Sequence, residues 1–87
     1  MTAACQHAYD PASVDFLLFS LFLDGARVRR GKSLRQVARE AELMPDTVER
    51  AIAARDPGED EYFALCAWIG IEPGFFMEPA RGIAHAG

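Results

Sequence analysis

Apolar positions crowd the stretch from Val14 to Val28. On a helical wheel Val14, Leu17, Leu18, Leu21, Phe22 and Val28 share one face, the predicted core side of a first helix. Asp10-Pro11 or Ser13 suits its cap, and the pattern carries it to about Arg29. Gly31-Lys32 then breaks the chain. Ser33 opens a second helix, because Ser33 and Gln36 have the spacing at which a hydroxyl and an amide each satisfy a free backbone N–H. Leu34, Val37, Ala38 and Ala41 form its buried stripe. Leu43-Met44 is long enough only for a turn, and Pro45 suits the first position of a third helix buried through Val48, Ala51 and Ile52. Asp56-Pro57-Gly58-Glu59 reads as the start of a fourth helix. Its core face is Tyr62, Leu65, Cys66 and Ile69 at i, i+3, i+4 and i+7, and Gly70 ends it. Pro73 begins one last turn through Phe75-Phe76-Met77. No segment alternates with period two, so the expected class is all-α, four helices and a short fifth.

At 87 residues the chain holds one domain. We expect a flexible N-terminal segment over 1–12, a folded domain over 13–78 and a disordered tail over 79–87. The longest apolar run, Phe16 to Leu23, is interrupted by Ser20 and falls far short of the roughly 20 residues a membrane span needs. No base precedes Arg27, so the basic start of a secretory leader is not expected. Cys5 and Cys66 are too far apart in sequence to make a disulfide scaffold, which points to a reducing cytoplasm. Cys5, His7, Cys66 and His85 have no metal-ligand spacing, and neither Gly25 nor Gly31 belongs to a phosphate-cradling loop. No metal, cofactor or enzyme activity is expected.

The net charge of −4 conceals a sharp division. Residues 27–39 carry six bases (Arg27, Arg29, Arg30, Lys32, Arg35, Arg39) and no acid, whereas residues 1–26 carry only Asp10, Asp15 and Asp24. Residues 40–61 hold eight acids against Arg50 and Arg55. A concentrated basic block permits an anion-facing surface in an otherwise acidic protein, and a merely solvated stretch remains the plainer alternative.

Two helices of about eight residues joined by a turn of about three describe a helix-turn-helix unit. The stretch SLRQVAREAELMPDTVERAIAAR, followed by EDEYFALCAWIGIEPGFF, resembles the Xre/Cro phage-repressor type of helix-turn-helix regulator over roughly residues 14–77. The resemblance implies a five-helix lambda-repressor-like fold, a cytoplasmic transcriptional regulator and a homodimer on operator DNA, with repression by occupancy. In that family the second helix of the unit lies in the major groove. Residue by residue, this implies Met44, Pro45, Asp46, Thr47, Glu49 and Arg50 at or near the bases. It also implies Ser33, Arg35 and Gln36 against phosphates. The free amides and dipole at the start of helix two, with Arg30 and Lys32 beside them, favour an anion there independently. About five neutralised phosphates per subunit would each contribute a salt slope near −0.9.

Three features depart from the family pattern. Glu42 stands where glycine is usual, Met44 where a capping serine or threonine is usual, and Asp46 and Glu49 lie on the DNA-facing side with Arg50 their only neighbouring base. The competing expectation is a protein-interaction module, an antitoxin or an adaptor to another regulator, using the acidic surface of helices three and four. A regulatory partner on a DNA-binding form is a third.

Helix one has a second apolar side. Phe16, Phe19 and Leu23 recur opposite the expected core face, and Trp68, Phe75 and Phe76 lie off or beyond the core stripe of helix four. These six are the expected dimer or partner interface. The alternatives are that the N-terminal segment covers Phe16 and Phe19, and that Trp68 and the Phe75-Phe76 pair close the ordinary core.

Overall fold

The computed structural model describes residues 9–77. The expectations for 1–8 and 78–87 lie outside them. Among the described residues there are four α-helices and two short 3-10 turns, with no strand beyond one isolated bridge. We number the helices α1 (Phe16–Arg29), α2 (Leu34–Ala41), α3 (Pro45–Ile52) and α4 (Glu59–Ile69). The fold is all-α. The expected fifth helix is the 3-10 turn Pro73–Phe76.

The start of the chain is used differently from the expectation. Asp10 caps a separate turn, Pro11–Ser13, by accepting from the Ala12 amide, and Asp15 caps α1 through the Leu18 amide at 3.1 Å. Between them Val14 is extended and forms an antiparallel bridge with Met77, while the Asp15 amide donates to the Phe76 carbonyl at 2.8 Å. Tyr9 is also part of the fold. Its ring stands 5.4 Å from that of Tyr62, and its hydroxyl donates to Asp56. Residues 9–12, within the segment expected to be flexible, therefore make contacts with the folded unit.

The α2 cap is the reciprocal pair expected of Ser33 and Gln36. Helix α2 stops because Glu42 turns left-handed at φ 62°, which lets the Leu43 amide reach the Ala38 carbonyl at 2.7 Å. Pro45 opens α3 behind Met44, whose side chain makes no capping hydrogen bond. Gly58, at φ 113°, precedes α4, and left-handed Gly70 ends it as expected.

The core gathers α1, α3 and α4 around Phe19, Leu23, Tyr62, Leu65 and Phe76, with Val37 and Ala38 closing it from α2. Phe19 packs its ring 5.0 Å from Tyr62 and 5.3 Å from Phe76. This inverts the expected orientation of α1. Phe19, Leu23 and Ala26 are fully buried, whereas Leu17, Leu21 and Val28 are about 60% exposed, and Phe22 is 37% exposed. Both sides of α1 are apolar, so its wheel alone does not set a direction. Ser20, on the edge of the buried side, satisfies its hydroxyl locally by donating to the Leu17 carbonyl at 2.7 Å. Among the described residues no helix is long and apolar enough to cross a membrane.

Candidate nucleic-acid interface

Helix α2 meets α3 through the turn Glu42-Leu43-Met44. This turn leaves the start of α3 beside the outer face of α2. Arg35 and Arg39, one helical turn apart on α2, join Ala38, Leu43 and Pro45 in lining an open groove of about 210 Å³. Both arginines are exposed and have no ion-pair partner among the described residues. Met44, Asp46, Glu49 and Arg50 are exposed on or just before α3. The cap spends the Ser33 hydroxyl and the Gln36 Oε1 on each other's backbone amides, at 3.1 and 2.7 Å.

Three other bases of the block are engaged within the molecule. Arg30, expected beside a phosphate, donates to the carbonyls of Trp68 and Ile69 at 2.7 and 3.2 Å, with its guanidinium 4.5 Å from the Trp68 ring centroid. It closes the end of α4, where free carbonyls attract a cation. Lys32 pairs with Glu40 at 2.7 Å, and the other Glu40 oxygen accepts from the Trp68 indole at 2.8 Å. These two bonds hold the Glu40 carboxyl below the usual carboxylate range. Arg27 is engaged by Asp24 and by the Lys32 carbonyl. The six bases thus divide, and only Arg29, Arg35 and Arg39 remain without a polar partner among the described residues.

Thr47, expected at the bases, is instead buried (7% exposed) because its side of α3 faces the core with Val48 and Ala51. Of the expected interface residues, Phe19, Leu23 and Phe76 are core residues, so the stripe containing them offers no surface. Phe16 is half-buried against Phe19 and Tyr62, and Trp68 is half-covered beneath Arg30. Phe75 alone among the six is mostly exposed, at 55%. Arg39 was absent from the expected site. Its spacing of four from Arg35 was the available signal.

Among the described residues no cluster of three His, Cys, Asp or Glu is arranged to hold a metal ion. Cys66 is buried beside Tyr62, and burial pushes its thiol up to about 11. A thiol held protonated in this way is packing material, not a nucleophile.

No family model, curated protein or solved structure matches this chain significantly.

Proposed function

We propose that α2 and α3 form a helix-turn-helix of the Xre/Cro phage-repressor type, completed into the five-element order by the final 3-10 turn, and that the protein is a cytoplasmic DNA-binding regulator. The observation that carries this reading is the pair Arg35 and Arg39, exposed and unpaired among the described residues, flanking the start of a helix whose outer residues are all polar or long. In this reading the two arginines and the first amides of α2 hold the phosphate backbone. Arg50 reads guanine edges from α3, and Asp46 or Glu49 accepts from cytosine N4. The protein binds as a homodimer on paired half-sites and represses by occupancy. It is not an enzyme and takes no cofactor.

With Arg27, Arg30 and Lys32 committed elsewhere, about three phosphate contacts per copy are available, each contributing a slope near −0.9. Fluorescence anisotropy with random and site-selected duplexes over a salt series tests this. Binding should weaken steeply with salt and lose about one contact each in Arg35→Ala and Arg39→Ala. Arg50→Ala should change the preferred sequence. Absence of binding at low salt defeats the proposal.

A second reading is favoured by one observation: Asp46 and Glu49 are exposed on α3 without ion-pair partners among the described residues. Carboxylates there repel phosphate and suit a basic protein surface, as in an antitoxin or adaptor. Asp46→Asn with Glu49→Gln separates the two readings. The change strengthens DNA binding if α3 lies on DNA, and abolishes partner capture if α3 is a protein-docking helix.

A further inference from the structure

We infer that Met44 selects thymine at one position of each half-site, by laying its side chain against the base's 5-methyl group in the major groove. The inference rests on the regulator reading above and names a base that the tip of α3 prefers.

Met44 stands at the N-cap of α3, where its side chain makes no capping hydrogen bond, and it is 68% exposed. Neither local stability nor packing accounts for it. A serine, threonine or aspartate there would satisfy a free amide of the first turn. Its neighbour Leu43 packs against the core, and Met44 is not among the side chains that do. The other exposed large apolar side chains among the described residues lie on α1 or, in the case of Phe75, against Phe22 of α1. Met44 is thus an isolated apolar group where local rules ask for a polar one. Departures of that kind concentrate at functional contacts.

Its surroundings define what it can touch. The Met44 carbonyl accepts from the Thr47 and Val48 amides at 3.0 and 3.4 Å, which fixes its backbone to the first turn of α3. Leu43 and Pro45, on either side of it in sequence, line the groove that carries Arg35 and Arg39. A phosphate backbone held by those arginines brings base edges to the start of α3, the part of a recognition helix that reads them. The exposed side chains that follow on α3 are Asp46, Glu49 and Arg50, each better matched by another base. The carboxylates need a donor such as cytosine N4, and Arg50 suits the two acceptors of guanine. Thymine offers one acceptor and a methyl group. Met44 has no side-chain hydrogen to donate to that acceptor, and its flexible thioether chain suits an apolar contact. The methyl group is therefore the feature it recognises.

The test uses duplexes selected by the purified protein from a random pool, with each thymine replaced in turn by deoxyuridine, which lacks only the methyl group. At one position per half-site the wild type should lose about four-fold in affinity, the factor for one buried methyl group. Met44→Ser should bind the thymine and deoxyuridine duplexes equally at that position. It should also unfold at a higher denaturant concentration than the wild type, because serine restores the cap. Its lost preference is then not a folding defect. A wild type with no methyl-sensitive position, or undiminished sensitivity in Met44→Ser, overturns the inference while the regulator reading stands. Absence of duplex binding at low salt overturns both.

Discussion

The Arg30 guanidinium lies over the Trp68 ring and donates to the Trp68 carbonyl, so one side chain ties the end of α1 to the end of α4. Arg30→Ala should cost about 1 kcal/mol, from a stacked cation and hydrogen bonds that are partly open to water. Trp68 is the only tryptophan, and its emission should shift to the red in this variant. Urea denaturation measures the loss. The salt slope of DNA binding should stay at its wild-type value; a slope smaller by one contact would place Arg30 on phosphate.

The orientation of α1 separates two substitutions of similar chemistry. Phe19→Ala removes a fully buried ring and should cost about 3–5 kcal/mol. Leu17→Ala, at a mostly exposed position, should change monomer stability by less than about 0.5 kcal/mol. Chemical denaturation at concentrations below dimerisation distinguishes them, and equal losses would contradict the inverted face.

Glu42 holds a left-handed backbone at φ 62°. Glycine adopts that conformation without a Cβ penalty, so Glu42→Gly should raise stability by about 0.5–1 kcal/mol despite the extra freedom of its unfolded chain. A lower denaturation midpoint would show that the glutamate side chain compensates for its own strain.

Acid should weaken the contact between Glu40 and the Trp68 indole. Lys32 and the Trp68 indole favour the charged Glu40 carboxylate, lowering its pKa below 4.5. The stabilisation is fully present above 4.5 and disappears as pH falls through the lower folded value. Trp68 emission should follow that titration in the wild type and lose it in Glu40→Gln.

Alkali should act on the core. Burial raises Cys66 from 9.0 to about 11, and it lifts Tyr62 and Tyr9 above the usual phenol range. In each case the neutral form is favoured by folding. Stability is therefore whole below the ordinary thiol value of 9.0 and declines as pH rises toward 11. In a Cys5→Ser variant, a thiol reagent should label Cys66 only as fast as the protein opens.

Local rules were readable in the chain, and non-local ones were not. Ser33 and Gln36 lie within one turn of each other, Pro45 and Gly70 act through their own backbone, and the stripe Tyr62, Leu65, Cys66, Ile69 has polar residues opposite it in the first turn. These features need no tertiary information. Helix α1 carries large apolar residues on both sides, so its direction was decided by which side fits beneath Tyr62 and Phe76. Arg27 has a local partner in Asp24, but the partners that take Arg30 out of the block are distant, Trp68 and Ile69 standing 38 and 39 residues away. Arg35 and Arg39 were left over by that sorting, which composition does not reveal.

The bridge between Val14 and Met77 brings the two ends of the folded unit side by side. A short peptide joining them would close the backbone into a ring, and the exposed Gly31 bend, whose φ is 66°, offers a place to reopen it. Such a circular permutant would keep every core contact while separating α1 from α2 in sequence. Its contacts between α1 and α2 would then span the whole length of the chain, and linked tandem copies would leave each unit from the same pole.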